Sequence, residues 1–254
     1  MRSGNQLFKI ALGAVLLVLG FSQVSAGEKN VQPVKAVLEL FASQGCSTCP
    51  QALNVFRTIE EREDTLSISY HVDYWDYLGW KDTLASAKNT KRQKDYADER
   101  GDMAVYTPQM IINGVALADA SSAKNIEAQL GEIAPLSVAV DMQETEMALN
   151  ISVSGIWAGG EEPANIYLLC IDGEETVEIL GGENAGKTKT YRNVVRSFNA
   201  VGMWSGGEKR IQMAKTAVFR ADAPNWVVLV QEMRNGKPGR IIGASQLMAK
   251  TPSS

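Results

Sequence analysis

After residue 34, the apolar residues recur first with the spacing of a strand, then with that of a helix, and then with that of a second strand. Lys35–Phe41 is a short β-rich run that ends in the turn-forming residues 43–45. Pro50–Arg62 carries apolar residues at helical spacing, and Leu66–Val72 alternates as a strand does. This order predicts a βαβ unit with a right-handed crossover.

Residues 89–133 continue the pattern with shorter elements. They predict a polar helix, a hairpin and a last helix: Asn89–Glu99, then Gln109–Ile112 and Val115–Leu117 joined by Asn113-Gly114, then a helix from Ser121 or Ser122 to Ile133. The order β-α-β-α-β-β-α over residues 34–134 is that of the thioredoxin fold. We therefore expect an α/β, thioredoxin-like N-terminal domain over these residues.

The pattern changes at Pro135. Beyond it, apolar runs of strand length are separated by Gly and Pro. They predict seven strands: Leu136–Met142, Met147–Val153, Asn165–Ile171, Thr176–Leu180, Ile211–Ala214, Trp226–Glu232 and Ile241–Leu247. Residues 135–250 are therefore expected to form a second, mostly-β domain that resembles a small sandwich.

The first 26 residues have the three-part pattern of an export signal. Arg2 and Lys9 form a basic start, an apolar stretch runs from Ile10 to Phe21, and Val24-Ser25-Ala26 offers small residues for cleavage. The apolar stretch is short for a bilayer span, and an uncleaved anchor is the alternative. Residues 1–26 are therefore predicted to be a signal peptide. The protein would be periplasmic or secreted, with no stable membrane insertion after cleavage.

Charge narrows the choice of partners. The chain has 25 basic and 29 acidic residues, and loss of residues 1–26 would leave 23 basic residues and a net charge of −6. Such an acidic chain does not favour nucleic acid or anionic lipid. We expect neither as a partner. Gly182–Gly186 has the composition of a tight loop without the helix context of a phosphate loop, so no nucleotide site is predicted.

The spacing of the three cysteines indicates chemistry. Cys46 and Cys49 form a Cys-x-x-Cys pair between a strand and a helix, whereas Cys170 lies far away in an apolar run. The free N–H groups and the dipole of a helix N-terminus stabilise a thiolate, so the pKa of Cys46 is expected to be lowered. Cys46 is predicted to be exposed and nucleophilic, and Cys49 to be shielded and resolving. A structural or metal-binding pair is the alternative. Cys170 is expected to be a buried small residue.

Other residues are expected near this pair. Thr107-Pro108 stands just before the third strand, where thioredoxin-like folds place a cis proline opposite the cysteines; an ordinary strand-entry proline is the alternative. His71 is the only histidine and ends the second strand, so the carboxyl ends of the strands would bring it and Asp73 close. His71 would transfer a proton, ligate a metal with the cysteines, or simply bond the backbone.

An aromatic stretch follows the second strand. Tyr74, Trp75, Tyr77 and Trp80 lie within seven residues of each other. Aromatic side chains are enriched at interfaces, so these residues would form either a recognition surface beside the cysteines or a packed loop core.

Four segments together resemble a known family: ELFASQGCSTCP, YHVDYWDYLGWKD, YTPQMIING and GENAGKTKTYRNVV. They resemble an exported bacterial family catalogued as domain of unknown function 1223, over nearly the whole chain after residue 26. The resemblance implies a thioredoxin-like N-terminal half and brings no biochemical activity with it. Its motifs map onto these residues: Cys46, Cys49, His71, Asp73, Trp75, Thr107 and Pro108.

Three functions remain open. The leading hypothesis is an exported thiol–disulfide oxidoreductase that acts on protein or small thiols without a cofactor, with Cys46 as nucleophile and Cys49 as resolving residue. The first alternative is a copper-binding protein or chaperone whose ligands are Cys46, Cys49 and His71. Exported copper chaperones with this fold use a Cys-x-x-x-Cys spacing, which is one residue longer. The second alternative is a binding module with an inert disulfide.

Overall fold

The computed structural model describes residue 1 and residues 34–248, and the latter belong to one compact unit. The predicted signal peptide, Met1 apart, lies outside the described residues. None of the helices within residues 34–248 has both the length and the apolar character that a membrane span requires. The division of the unit into residues 34–134 and 135–250 stays a prediction.

The first half of the described chain builds a four-stranded sheet with three helices. In chain order the elements are β1 (Ala36–Ala42), α1 (Cys49–Glu60), β2 (Thr65–His71), α2 (Ala87–Arg100), β3 (Gln109–Ile112), β4 (Ala116–Ala118) and α3 (Ala123–Glu132). The strands lie in the order β2-β1-β3-β4, with β1 parallel to β2 and antiparallel to β3. Asn113 and Gly114 have positive φ between β3 and β4, which confirms the Asn-Gly hairpin.

The second half consists almost entirely of strands. They are β5 (Ala139–Glu144), β6 (Ala148–Gly155), β7 (Ala164–Ile171), β8 (Glu174–Glu178), β9 (Thr188–Arg192), β10 (Val195–Trp204), β11 (Gly207–Ala214), β12 (Asn225–Arg234) and β13 (Lys237–Leu247), with a short α4 (Lys215–Val218) after β11. They form three sheets, ordered β10-β7-β12-β13, β11-β6-β5 and β8-β9. The strands β9 and β10 were not predicted, because β9 is mostly polar and the apolar residues of β10 are interrupted by polar and small ones.

The predicted fold class, an α/β thioredoxin-like domain followed by a mostly-β domain, is wrong. Strands hold 43% of the described residues and helices hold 21%, so the chain is mostly β, with several sheets. The order of the elements in residues 34–134 indicates an α/β class, but it does not report which elements cover the second face of their sheet.

That second face is covered largely by strands of the other half. On one face of the first sheet, the side chains of β1 pack with those of α1 and α3. On the other face, Val37, Phe41 and Ile68 pack with Leu169 of β7 and Val227 of β12. Burial of this apolar area against a second sheet stabilises the β-rich arrangement. The core therefore runs continuously from the first sheet into the second.

A buried polar cluster lies within the same interface. Arg92 of α2 donates from Nε to Glu39 Oε1 at 2.8 Å, and from a terminal nitrogen to Gln231 Oε1 at 3.1 Å. Tyr96 donates its hydroxyl hydrogen to the second oxygen of Glu39. Because the buried charges are paired and hydrogen-bonded, this cluster joins β1, α2 and β12 without leaving a lone charge in the core.

Candidate functional site

Cys46 and Cys49 form a disulfide at the start of α1, with 5.4 Å between their Cα atoms. The chain leaves β1 at Ala42, turns through residues 43–48 and enters the helix at Cys49. The Cys49 N–H group donates to Cys46 Sγ at 3.1 Å. Pro50 is tolerated in the first turn because its missing N–H would have no partner inside the helix. One sulfur of the pair thus lies at the positive end of the helix dipole.

Both cysteines are buried. Cys46 is 1% exposed and Cys49 is 0% exposed, whereas Ser47 and Thr48 between them are exposed. The predicted exposure of Cys46 is therefore wrong, and the predicted shielding of Cys49 is confirmed. Cys46 belongs to the core cluster that also contains Tyr191 of β9, with Trp75 packed against it. Segments distant in sequence cover the turn, and a local pattern does not report them.

Gln44 connects the cysteine turn to the segment after β2. Its backbone N–H donates to Asp82 Oδ2 at 2.7 Å, and its side-chain nitrogen donates to Thr83 Oγ1 at 3.1 Å. Its side-chain oxygen accepts from Trp80 Nε1 at 2.7 Å. The side chain of Gln44 is fully buried and uses both ends. The turn before Cys46 is thus fixed by three residues of one neighbouring segment.

Asn184, in the second half of the chain, fixes the same turn. It is 1% exposed and lies in the loop between β8 and β9. Its side-chain nitrogen donates to the carbonyl oxygens of Gln44 at 2.8 Å and Cys46 at 2.9 Å. Its side-chain oxygen accepts from Lys187 Nζ at 2.9 Å. Sequence reasoning read this loop only as a tight turn, although it lies in one of the four family-like segments.

His71 lies at the end of β2 and is completely buried. Its Nδ1 is 2.7 Å from Asp82 Oδ2, and its ring meets the Tyr191 ring edge to face at 4.7 Å between centroids. Its Nε2 is buried and has no hydrogen-bond partner. Asn89 Nδ2 donates to the His71 carbonyl oxygen at 3.0 Å. His71 therefore shares the cluster around Tyr191 with the cysteines and offers one unpaired ring nitrogen.

Asp82 is the residue that orients His71, and sequence reasoning did not single it out. Burial alone would raise the pKa of Asp82, but the His71 ring and the N–H groups of Gln44 and Leu84 outweigh burial and lower it. Asp82 is thus a carboxylate at neutral pH. Asp82 is the last residue of the family-like segment YHVDYWDYLGWKD, and His71 is its second residue. Their presence in one segment was the only indication in the sequence that they form a pair.

Asp73 is engaged elsewhere. Its backbone N–H donates to Thr90 Oγ1 at 3.1 Å, and the Thr90 hydroxyl donates to Asp73 Oδ1 at 2.6 Å. These two bonds fix the chain after β2 to helix α2. In the described structure Asp73 thus bonds Thr90, and no hydrogen bond joins it to Cys46, Cys49 or His71.

Trp75 connects the cysteine turn with the start of β3. Its Nε1 donates to Thr107 Oγ1 at 2.8 Å. On the other side, a Cβ added to Gly45 would lie only 3.3 Å from Trp75 Cβ, so the backbone approaches this side chain closely. The Thr107–Pro108 peptide bond is cis, the isomer favoured from the sequence. Trp75 thus links the cluster that contains the cysteines to Thr107, and the place of Pro108 in the site stays a prediction.

The aromatic stretch is divided between core and surface. Trp75 and Trp80 are partly buried and pack against the cluster that contains the cysteines. Tyr77 is 80% exposed. The expected packed loop core thus holds for Trp75 and Trp80, and a recognition surface stays a prediction.

The arrangement of the described residues gives little support to the copper-binding alternative. No group of three or more His, Cys, Asp or Glu side chains in residues 34–248 is placed to hold a metal ion. In the expected set, both sulfurs belong to the disulfide and His71 Nδ1 is bonded to Asp82. Metal binding by this set stays a prediction. Cys170 is free and buried, as expected, with Sγ 3.4 Å from the Val218 carbonyl oxygen.

Two solved structures resemble this chain along most of its length. The crystal structure of protein AGR_C_4864 from Agrobacterium tumefaciens matches with a TM-score of 0.75 and 33% identity, over 88% of this chain and 98% of that one. HBP35 of Porphyromonas gingivalis matches with a TM-score of 0.61 over 87% of this chain and 81% of that one. At 14% identity, the second similarity concerns the fold alone.

A family model gives the identification. No curated protein matches the chain. The model that matches covers residues 37–231 and carries the description "Protein of unknown function (DUF1223)". The matched region includes both cysteines, His71, Asp82 and Asn184, so the family predicted from the four sequence segments is confirmed. The protein belongs to the family described as Protein of unknown function, DUF1223.

Proposed function

We propose that this protein is an exported thiol–disulfide exchange protein in which Cys46 and Cys49 form the reacting pair. One observation carries the proposal: the two cysteines close a disulfide at the N-terminus of α1, where the first helical N–H group donates to Cys46 Sγ. Free N–H groups and the helix dipole stabilise a thiolate at this place. The thiolate is the nucleophile of disulfide exchange.

The reaction takes place in two steps. A substrate thiolate attacks one sulfur of the Cys46–Cys49 disulfide, the S–S bond breaks, and the electron pair leaves on the other cysteine. A second substrate thiolate then attacks the substrate sulfur of the mixed disulfide and releases the remaining cysteine. Two substrate thiols become a disulfide, while Cys46 and Cys49 take up two electrons and the two protons. The reverse sequence reduces a substrate disulfide.

Cys46 is the residue that we assign to the mixed disulfide. It lies outside the helix and accepts the Cys49 N–H, so a Cys46 thiolate has a donor already in place. Cys49 is the first helical residue and packs with Ala52 and Phe56 below the turn, which suits a resolving role. Protein thiols or small thiols are the proposed substrates, and no cofactor is needed for the two steps.

His71 and Asp82 are assigned to the protons of this reaction. The Asp82 carboxylate holds the Nδ1 side of the ring, and Nε2 is left without a partner in the buried cluster next to Tyr191. An imidazole with one nitrogen fixed by a carboxylate is a suitable proton acceptor for a buried thiol. Trp75, Thr107 and Pro108 are assigned to the side of the site along which a substrate approaches.

Export completes the proposal. Disulfides persist in the periplasm or the extracellular space, and the signal-like pattern of residues 1–26 agrees with such a location. The signal-like pattern is independent of the exchange chemistry. Cell fractionation of a tagged full-length chain tests the location directly.

A second candidate function is favoured by the burial of the cysteines. Both are almost inaccessible, which is also what an inert, stabilising disulfide in a binding module would show. The two candidates differ in one property. An exchanging disulfide must react with thiols in the folded protein, and an inert disulfide must not.

Trapping of a mixed disulfide tests the proposed function. A Cys49→Ala variant with Cys170→Ser retains Cys46 as its only thiol and cannot resolve an adduct. After incubation with oxidised glutathione and with periplasmic extract, we expect adducts that a reducing agent removes. The matched control, Cys46→Ala with Cys170→Ser, should form fewer adducts. Equal labelling of both variants, or none of either, would contradict the assignment.

A further inference from the structure

The loop between β8 and β9, residues 179–187, reaches back to the cysteine turn. The connection spans nearly two thirds of the described chain, since Asn184 bonds the Cys46 carbonyl oxygen from 138 positions further along. The loop contains a short 3-10 turn over Gly182–Asn184, which directs the Asn184 side chain inward. We name residues 179–187 the cover loop.

The cover loop also contacts the segment after β2. A Cβ added to Gly181 would lie 2.7 Å from the Gly79 carbonyl oxygen, and one added to Gly182 would lie 3.4 Å from Trp80 Cβ. The absence of side chains on these glycines permits the two backbones to approach. The cover loop and residues 75–80 therefore form adjoining parts of one layer over the cysteine turn.

The hydrogen bonds hold this layer in one position. Within the described residues, Asn184 is the one residue of the cover loop that donates hydrogen bonds to the cysteine turn. Its side-chain nitrogen donates to the carbonyl oxygens of Gln44 and Cys46. Lys187 fixes the amide oxygen, so the nitrogen must face the turn. A buried amide arranged in this way is costly to leave unpaired, so release of the loop is opposed as long as Asn184 is intact.

We propose that Asn184 is a positioning residue for the Cys46–Cys49 pair and that release of the cover loop admits the substrate thiol. The admission of a substrate thiol rests on the proposed function. The contact between the cover loop and the cysteine turn does not, because it is present in the disulfide-bonded structure. With Cys46 only 1% exposed, a reagent must wait for local opening before it meets the sulfur. The fraction of molecules in which the loop is open then sets the rate at which the disulfide reacts.

Reduction by a phosphine measures opening without any thiol exchange. The disulfide-bonded wild type, Asn184→Ala and Asn184→Asp are treated with tris(2-carboxyethyl)phosphine under native conditions, and free thiols are alkylated and counted by mass spectrometry. Two hydrogen bonds to the turn are lost, so we expect reduction to become about tenfold faster in both variants. Unchanged rates in both would overturn the inference.

Asn193 provides the matched control. It is buried, lies just after the same hairpin, and donates from its side-chain nitrogen to Ser67 O and Glu60 Oε1, both at 3.1 Å. Asn193→Asp makes the same chemical change away from the cysteine turn. We expect it to lower Tm without changing the reduction rate by more than about twofold. An equal acceleration in Asn193→Asp would show that general stability, and not the cover loop, sets the rate.

Lys187→Met keeps the inference testable if the Asn184 variants do not fold. It removes only the contact to the Asn184 amide oxygen. We expect an acceleration of about twofold to threefold at nearly unchanged Tm. A rate equal to that of the wild type would count against the cover loop.

The outcome separates this inference from the proposed function. Faster phosphine reduction of Asn184→Ala, with no reaction of either protein with thiols, would support the cover loop and refute exchange. Thiol exchange by the wild type, together with phosphine reduction rates that are the same in the wild type and the Asn184 variants, would support exchange and refute the cover loop.

Discussion

The His71 ring and the Asp82 carboxylate form a buried pair, with 2.7 Å between Nδ1 and Oδ2. The same Asp82 oxygen accepts the backbone N–H of Gln44, two positions before Cys46. The only histidine of the chain is thereby joined to the cysteine turn through one oxygen atom. This relationship fixes the position of the His71 ring relative to the cysteine turn.

Replacement of Asp82 should make stability depend less on pH. The pKa of Asp82 is lowered in the folded state, so the carboxylate stabilises the fold above its ordinary pKa and this contribution is lost as the pH falls. We expect Asp82→Asn to be less stable at pH 7 by about 2 kcal/mol, since bonds to a charged group are lost. The difference should shrink below about pH 4.

Urea unfolding of both proteins between pH 3 and pH 8 provides the measurement. Asp141→Asn on exposed β5 is the control and should follow the wild type throughout. A difference between wild type and Asp82→Asn that grows toward low pH would contradict the assigned state of Asp82.

His71 distinguishes exchange from metal binding. In the exchange account His71 assists proton transfer, so His71→Gln should still catalyse thiol–disulfide exchange, at a rate reduced by up to about 10²-fold. The reduced wild type should bind Cu(I) weakly, and His71→Gln should bind it no less well. Stoichiometric, tight Cu(I) binding that disappears in His71→Gln, together with no exchange by the wild type, would favour the copper-binding alternative.

Asp172 should show the opposite pH dependence to Asp82. Burial raises its pKa to about 6, and its Oδ1 accepts the Val194 N–H at 2.9 Å. A carboxyl whose pKa is raised on folding destabilises the fold once it ionises, so the stability that it gives below about pH 4 is lost as the pH rises through about 6. Asparagine keeps the acceptor and does not ionise.

Asp172→Asn should therefore be more stable than the wild type at pH 8, by up to about 3 kcal/mol, and equal to it near pH 4. Chemical unfolding at the two pH values tests this. A variant that is less stable at pH 8 would show that the Asp172 carboxylate has a favourable partner when ionised.

The buried pair of Glu39 and Arg92 should matter most for stability. Glu39→Gln leaves the Arg92 guanidinium without its counter-charge, and loss of one partner of a buried pair costs about 3–5 kcal/mol. Glu39→Gln combined with Arg92→Met removes both charges and should cost less than the sum of the single changes. Additive single changes in urea unfolding would contradict a coupled pair.

Part of the structure followed from local patterns. The sequence pattern placed β1, α1 and β2 to within a few positions. The helix α1 has a buried side that repeats at helical spacing, and β1 and β2 are short β-rich runs that are buried along their whole length. The Asn113-Gly114 turn could be predicted because asparagine and glycine are the residue types that best tolerate positive φ at two successive positions. Both residues have positive φ in the structure. The cysteine pair was placed correctly because it stands between a strand and a helix.

Long-range packing accounts for what the patterns missed. The fold class depends on which elements cover the second face of the first sheet, and those elements begin more than 100 residues after β1. The turn that holds Cys46 is hydrogen-bonded by the loop of the β8–β9 hairpin, which follows it by 138 positions. Asp82 and Asn184 stand in no periodic pattern, so their roles became visible only when the chain brought them to Gln44.

The reduction potential of the Cys46–Cys49 pair tests the central claim most directly. The folded Cys170→Ser protein is equilibrated in buffers of defined glutathione potential, and the oxidised fraction is measured by alkylation and mass spectrometry. An exchanging pair should reach equilibrium with a midpoint between about −270 and −120 mV, the range of known exchange proteins. A disulfide that stays oxidised down to about −300 mV in the folded protein would be structural and would contradict the account.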